Sequence, residues 1–157
     1  MITSNTLKLN NKNGVVYFSF PKIDAAGGAL NGFSTRLGGV SEGIFSTMSF
    51  STSLPDKRES VLENYNRFCA AIGGDYKNTV LSDQTHTANV RVVTKEDIGK
   101  GLFYERDYTD IDGLVTNEKD ILLVTQYADC TPLAFYDPVK GVVAASHAGW
   151  RGTVALI

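Results

Sequence analysis

Residues 121–152 read ILLVTQYADCTPLAFYDPVKGVVAASHAGWRG and carry the clearest structural signals in the chain. The nearly continuous apolar run at 121–125 is typical of a strand that is buried on both faces. Two further strand candidates, 132–136 and 142–146, flank the turn-forming residues 137–141. Because Asp, Pro and Gly favour tight turns, we predict a β-hairpin over this segment.

The rest of the chain also indicates mostly short strands, because β-branched and aromatic residues cluster between turn formers. The predicted strands are 15–20, 31–35, 79–82, 89–94 and 114–116. One helix is predicted, with Asp56 as its cap, Glu59 completing a capping box and Gly73 ending it. Its apolar positions follow the helical period and include Cys69, which we expect to be a buried, unreactive thiol.

Composition narrows the class of protein. The chain has 157 residues, so one domain over 1–157 is expected. It has 15 Lys plus Arg and 17 Asp plus Glu, and the resulting net charge of −2 does not favour binding to nucleic acid. Its start lacks the pattern of a signal peptide, and no uncharged apolar run approaches the ~20 residues that cross a bilayer. With two cysteines in different settings, we predict a cytoplasmic protein without disulfides or membrane contact.

The sequence contains two histidines, His86 and His147, and both lie at the ends of predicted strands. Cys130 also lies just past a predicted strand, at 121–125. Side chains at strand ends can converge on a cleft while the sheet holds them rigidly. These three residues are therefore the main candidates for chemistry.

The residue types leave three interpretations open. His, Cys and His suit a zinc ion and leave a fourth position for water or substrate. A metal-free Cys–His pair for hydrolysis is supported equally, because a histidine can raise the thiolate fraction of a nearby cysteine. The third interpretation is polar residues that only complete hydrogen bonds at strand ends. The three positions lie far apart along the chain, so their spacing does not choose between these.

Four other residues add candidate contacts. Arg36 stands beside a Gly-Gly pair that suits an anion, although a surface arginine in a turn looks the same. Arg151 comes directly before a predicted helix, where a phosphate could bind. Asp129 adjoins Cys130, and Asp112 precedes a glycine; either could carry a proton or orient a histidine, and an Asp-Gly pair is also a common turn.

Five motifs in a fixed order resemble the YfiH-type laccase-domain family. They are FSTRLGGVS at 33–41, QTH at 84–86, DGLVT at 112–116, ADCTP at 128–132 and SHAGWRGT at 146–153. The family was first labelled multicopper polyphenol oxidase and is now regarded as a family of purine nucleoside phosphorylases. The resemblance implies a single α+β domain with mixed β-sheets flanked by helices, distantly similar to toxin deamidases that use a Cys–His pair.

The resemblance also implies a zinc ion on His86, Cys130 and His147. It implies phosphorolysis of adenosine, inosine and methylthioadenosine to the base and ribose 1-phosphate, together with adenosine deaminase activity. The catalytic residues would then be Cys130, His147, Asp129 and Arg36, with Asp129 or a zinc-bound water supplying a proton to the departing purine. Phosphate or substrate would contact the residues Arg36, Gln84 and Arg151. Copper oxidase chemistry is disfavoured, because two histidines cannot furnish the His-rich ligand sets that it requires.

The chain departs from the family in one respect. Family members continue well beyond the Trp-Arg motif, whereas this chain stops at Ile157, so we expect a domain that lacks its C-terminal part. Exposed apolar surface at that end favours self-association. The alternatives to a phosphorylase are a metal-free hydrolase that uses Cys130 with His147 and an inactive nucleoside-binding fragment.

Overall fold

The computed structural model describes residues 5–157 and contains two compact units. The N-terminal unit ends at Tyr76, and the C-terminal unit is Lys77–Ile157. None of the helices within the described residues is long and apolar enough to cross a membrane.

The N-terminal unit has a three-stranded antiparallel sheet in the order β1-β2-β3, formed by β1 (Lys8–Lys12), β2 (Val15–Ser19) and β3 (Phe33–Ser34). Asn13 and Gly14, with φ of 54° and 83°, join β1 to β2. An Asn-Gly pair with two positive φ values is typical of a two-residue hairpin turn. Strand β1 was not predicted, because its sequence KLNNK is mostly polar and lies largely exposed.

Two helices belong to this unit, α1 (Pro21–Ala26) and α2 (Arg58–Ile72). The predicted end of α2 is confirmed, since Gly73 caps it with a left-handed φ of 97°. The predicted capping box is wrong. Lys57 is the cap residue, and the carboxylate of Asp56 instead accepts hydrogen bonds from the Ser41 hydroxyl and the Lys57 N–H.

The predicted burial of Cys69 is confirmed. Its side chain lies in α2 and is 2% exposed, and burial raises the pKa of its thiol to about 12. A thiol of this kind stays protonated and unreactive at neutral pH. The nearby core consists of the buried residues Val15, Met48 and Ala71 with Tyr17, Phe50 and Phe68 packed against them.

The C-terminal unit holds two sheets and a short helix. Strands β4 (Thr79–Leu81) and β7 (Leu122–Val124) pair in parallel. The second sheet has the order β5-β6-β9-β8 and consists of β5 (Val90–Val92), β6 (Gly113–Thr116), β8 (Thr131–Asp137) and β9 (Val142–Ala148). Its β5–β6 pair is parallel and its other pairs are antiparallel, so the predicted α+β class with mixed sheets is confirmed. Helix α3 (Trp150–Val154) follows β9.

The register of this second sheet positions the candidate site. The predicted hairpin is confirmed as β8–β9, and it places Pro132 opposite His147. On the other side of β9, Ser146 pairs with Gly113 at the start of β6. Because these pairings are fixed, Cys130 and Asp112 each come close to His147 in space. The buried core beneath consists of Val80, Val93, Leu114 and Ile121.

Candidate metal centre

The three residues singled out by their positions at strand ends come together in the structure. The candidate ligand atoms of His86, Cys130 and His147 all lie within 4.8 Å of one another. Nε2 of His86 is 3.7 Å from Sγ of Cys130. Tetrahedral zinc with ordinary Zn–S and Zn–N bonds would place such a sulfur and nitrogen about 3.6 Å apart. The donor types and their separation therefore fit a zinc ion.

The side chains of His86, Cys130 and His147 come from three different segments of the chain. His147 is the penultimate residue of β9 and is 4% exposed, whereas Cys130 directly precedes β8 and is half-buried. His86 lies exposed in the segment between β4 and β5, with a left-handed φ of 67°. A positive φ is uncommon for a residue with a side chain, so the surroundings of His86 must hold this conformation.

Asp112 connects two of these residues. Its side chain is fully buried, and its Oδ1 accepts hydrogen bonds from the His86 N–H at 3.1 Å and from Nδ1 of His147 at 2.7 Å. Its Oδ2 accepts from the N–H groups of Thr85 and Thr87 and from the Thr87 hydroxyl. With Nδ1–H directed at a carboxylate, Nε2 of His147 is left as the nitrogen that can bind a metal. The interpretation of Asp112 as a residue that orients a histidine thus has a geometric basis.

The electrostatics of the site favour an ionised Asp112 and a protonated Cys130. Burial acts to raise the pKa of Asp112, but hydrogen bonds from Thr87, His147 and Thr85 together hold it below its usual value. Loss of hydration and the neighbouring carboxylate of Asp129 raise the pKa of the Cys130 thiol. A bound cation would reverse this second shift, because metal coordination stabilises the thiolate.

The surroundings of the triad include residues that the sequence analysis did not assign to a site. The Tyr127 ring lies 5.7 Å from that of His147, and its hydroxyl donates to the Ser146 carbonyl at 3.0 Å. Gly149 is buried, and a Cβ there would collide with the ring of His86 and lie 3.3 Å from Sγ of Cys130. Gly149, the first glycine of the HAGWRG motif, was the signal that could have indicated this close approach of the backbone to His86 and Cys130.

The other predicted contact residues have partners of their own. The Gln84 side-chain amide donates to the Gln126 carbonyl at 2.6 Å and accepts from the Gln126 N–H at 2.7 Å. Arg151 is exposed, and its guanidinium lies 5.2 Å from the Trp150 ring centre. Arg36 belongs to the N-terminal unit, where its guanidinium donates to the carbonyls of residues 44 and 46. Binding of substrate or phosphate by these three side chains stays a prediction.

Asp129 is exposed beside the triad. Its carboxylate oxygen lies 3.7 Å from Sγ of Cys130, so the predicted proton carrier stands next to one candidate metal ligand. Its role as an acid stays a prediction as well.

Comparison with known proteins gives relatives for most of the chain. Residues 30–157 match the family model described as multi-copper polyphenol oxidoreductase laccase. The chain is 42% identical over 129 residues to a protein named purine nucleoside phosphorylase YlmD from Bacillus subtilis, and this match covers 82% of the chain and 46% of the relative. It is 36% identical over 127 residues to the protein of the same name from Geobacillus stearothermophilus, covering 80% of the chain and 46% of the relative.

Solved structures show the same similarity. The crystal structure of YlmD from Geobacillus stearothermophilus superposes with a TM-score of 0.81 at 32% identity, covering 96% of this chain and 54% of that one. The crystal structure of the hypothetical protein YfiH from Bacillus licheniformis gives a TM-score of 0.82 at 30% identity, with the same coverage of 96% and 54%. The chain thus spans about half the length of its relatives. On these matches, it belongs to the YfiH-type family whose model is described as multi-copper polyphenol oxidoreductase laccase.

Proposed function

We propose that the chain is a zinc-dependent purine nucleoside phosphorylase that also deaminates adenosine. It would cleave adenosine, inosine or methylthioadenosine with phosphate to give the free base and ribose 1-phosphate. The convergence of His86, Cys130 and His147 carries the proposal, since the ligand atoms lie within 4.8 Å of one another. Relatives named purine nucleoside phosphorylase support the choice of substrate class.

The donor set supports zinc over copper. Two imidazoles and one thiolate form a three-ligand set with an open position, which is the usual make-up of a catalytic zinc site. Multicopper chemistry needs more histidines than the two that this sequence contains. A zinc ion bound here would supply a Lewis acid at the open position.

The residues of the chain would share the remaining work. Asp112 accepts a hydrogen bond from Nδ1 of His147, which would keep Nε2 of the same ring directed at the metal position. Asp129 is the proposed proton carrier for the departing purine, because its exposed carboxylate stands beside the triad. Arg151 is the proposed phosphate contact to test first, because it lies exposed two residues after Gly149, which packs against the triad. Gln84 and Arg36 are the further proposed contacts.

One observation favours a second candidate, a metal-free Cys–His hydrolase. The expected partner of Cys130 was His147, but Sγ of Cys130 also lies 3.7 Å from Nε2 of His86, close enough for that histidine to activate the thiol. The raised pKa of Cys130 weighs against this function, because a nucleophilic cysteine needs a lowered pKa. The phosphorylase is therefore the better supported of the two.

Turnover with and without phosphate tests the proposal. The purified zinc-loaded chain is incubated with inosine, and hypoxanthine and ribose 1-phosphate are quantified by chromatography; adenosine is assayed in parallel for inosine and ammonia. We expect hypoxanthine only when phosphate is present, with loss of turnover in Cys130→Ser. Cys69→Ala is the matched control, because Cys69 is buried in α2 of the other unit.

Two results would contradict the proposal. Activity in a metal-free sample, followed by its loss after treatment with an alkylating agent, would favour the thiol hydrolase. Stabilisation by nucleoside without any product, in a chain loaded with zinc, would favour a nucleoside-binding fragment.

A further inference from the structure

We propose that Asp112 is the positioning residue that joins the two histidines of the triad into one preformed metal centre. It would do so by fixing the ring of His147 and, at the same time, the backbone that carries His86. The inference rests on the proposed metal site and assigns a role to a residue outside the ligand set. It concerns positioning, because Asp112 contacts the ligand residues and not the metal position itself.

The backbone around His86 curls about the carboxylate of Asp112. Three consecutive N–H groups, those of Thr85, His86 and Thr87, point at the Asp112 carboxylate, at 3.0, 3.1 and 2.8 Å. Three successive amides can converge on one anion only if the chain curls around it, as in anion-binding nests. The left-handed φ of 67° at His86 is part of that curl. Without the anion, the chain would lose the interactions that hold His86 in this conformation.

Asp112 also fixes His147, through two hydrogen bonds. Nδ1 of His147 lies 2.7 Å from Asp112 Oδ1, and the His147 N–H donates to the Asp112 backbone carbonyl at 2.8 Å. Asp112 therefore contacts both the ring and the backbone of His147. A ring nitrogen directed at a carboxylate fixes the tautomer and makes the opposite nitrogen a better metal ligand.

Both carboxylate oxygens of Asp112 are needed to accept these hydrogen bonds. Oδ1 is shared by His86 and His147, while Oδ2 takes the Thr85 and Thr87 donors. An asparagine has only one acceptor oxygen, and its NH₂ group faces donors wherever it is placed. Asp112→Asn therefore breaks one half of the arrangement in either orientation, while it keeps the size of the side chain.

The neighbouring Asp110 offers a matched control. Its carboxylate accepts a hydrogen bond from the Thr85 hydroxyl at 2.7 Å, so it supports the same segment through Thr85 rather than through His147. Its φ of 56° is one that asparagine tolerates well. Asp110→Asn removes a charge from the same region and leaves the Asp112 hydrogen bonds in place.

Zinc affinity gives the first readout. Wild type, Asp112→Asn and Asp110→Asn are titrated with zinc against a chromophoric chelator, with folding checked by thermal melting. We expect Asp112→Asn to bind zinc about 10- to 100-fold more weakly, as for other residues that orient a ligating histidine. Asp110→Asn is expected to stay close to wild type. Equal affinity in wild type and Asp112→Asn would overturn the proposal.

The tautomer of His147 gives a second readout that needs no metal. Long-range ¹H–¹⁵N spectra of the metal-free protein distinguish a ring protonated at Nδ1 from one protonated at Nε2. We expect the Nδ1–H form in wild type and in Asp110→Asn, and a mixture in Asp112→Asn. A wild-type ring protonated mainly at Nε2 would overturn the inference. If wild type shows the Nδ1–H form but binds no zinc, the proposed function fails while the positioning of the ring stands.

Thr87→Val keeps the test decisive if Asp112→Asn does not fold. This variant removes the Thr87 hydroxyl, which lies 3.0 Å from Asp112 Oδ2 and 3.0 Å from the Asp110 carbonyl oxygen, and retains the backbone N–H that donates to Asp112 at 2.8 Å. We expect zinc affinity to fall severalfold with the wild-type tautomer preserved. An unchanged affinity would contradict the role of the Asp112 cluster in shaping the site.

Discussion

Two buried carboxylates in the C-terminal unit, Asp97 and Asp112, have nearly the same exposure and very different partners. Asp97 is 2% exposed and forms ion pairs with Arg91 and Lys100, both at 2.8 Å. Asp112 is fully buried and accepts hydrogen bonds from three backbone N–H groups, a hydroxyl and the ring of His147. The partners, rather than the burial, distinguish a carboxylate in a cluster of ion pairs from one that contacts two residues of the candidate metal centre.

The two aspartates also differ in what their removal would leave behind. Loss of the Asp97 charge leaves Arg91 and Lys100 with only the exposed carboxylate of Asp107 as a shared partner, which costs folding stability. Loss of the Asp112 charge weakens the hydrogen bonds that position His86 and His147 in the candidate metal centre. We therefore expect metal affinity to fall more than folding stability.

The largest expected effect is on folding. Asp97→Asn should lower the free energy of unfolding by about 2 kcal/mol at neutral pH, because Arg91 and Lys100 lose a buried partner, although both are partly hydrated. Urea denaturation measures the change, and zinc affinity should stay at its wild-type value. Asp107→Asn is the matched control: Asp107 pairs with the same Lys100 but is 66% exposed, so its loss should have little effect. A large loss of zinc affinity in Asp97→Asn would remove the distinction between the two aspartates.

The same ion cluster predicts a pH dependence. Burial acts to raise the pKa of Asp97, but hydrogen bonds from Lys100, Thr94 and Arg91 outweigh it and bring the pKa from 3.8 to about 2. Because the folded pKa is the lower one, the ionised carboxylate stabilises the fold above the unfolded value. The stability advantage of wild type over Asp97→Asn should therefore be constant well above pH 3.8 and shrink as the pH falls through 3.8 towards about 2. Urea titrations across that window measure it, and an advantage that persists unchanged at the acidic end would contradict the assignment.

A smaller effect is expected at Gly149, on metal affinity rather than folding. Its backbone φ of −70° suits alanine, so the cost of Gly149→Ala lies in the clash of the new Cβ with the ring of His86. We expect zinc affinity to fall on the order of tenfold, as for other disturbances around a ligating histidine. Gly32→Ala serves as the control, since a Cβ there would press on the side chains of Ile72 and Phe68 in the N-terminal unit rather than on a candidate ligand. Equal zinc affinity in both variants and wild type would show that His86 can move without consequence.

The smallest effect is expected at Gln84. Its amide makes two hydrogen bonds with the backbone of Gln126, so Gln84→Ala should lower the free energy of unfolding by about 1 kcal/mol. Chemical denaturation measures that loss. The predicted contact with substrate is tested by the same variant, because a substrate-binding role would also raise KM for the nucleoside. A stability equal to wild type would contradict the structural role of this amide.

Much of the fold could be predicted where the signals are local. The hairpin β8–β9 followed from turn residues between two apolar runs, and the end of α2 followed from Gly73. Strand β1 could not be found from its polar side chains, although the Asn13-Gly14 turn was a usable signal. The cap of α2 was predicted wrongly because Ser41, distant in sequence, binds the Asp56 carboxylate that local rules assign to the helix.

The candidate site could be predicted in its members but not in its support. His86, Cys130 and His147 were singled out because each lies near the end of a predicted strand, and the register of β8 and β9 brings two of them together. The central role of Asp112 depends on three amide groups that converge only because His86 adopts a positive φ. No periodicity or propensity specifies such a conformation, so sequence reasoning could name Asp112 only as one of two alternatives.

Metal content tests the central claim most directly. The purified chain, Cys130→Ser and Cys69→Ala are analysed side by side by elemental mass spectrometry after dialysis against metal-free buffer. We predict about one zinc per chain in wild type and in Cys69→Ala, and loss of that zinc in Cys130→Ser. Absence of metal from all three proteins, or equal zinc in wild type and Cys130→Ser, would contradict a metal centre built on His86, Cys130 and His147.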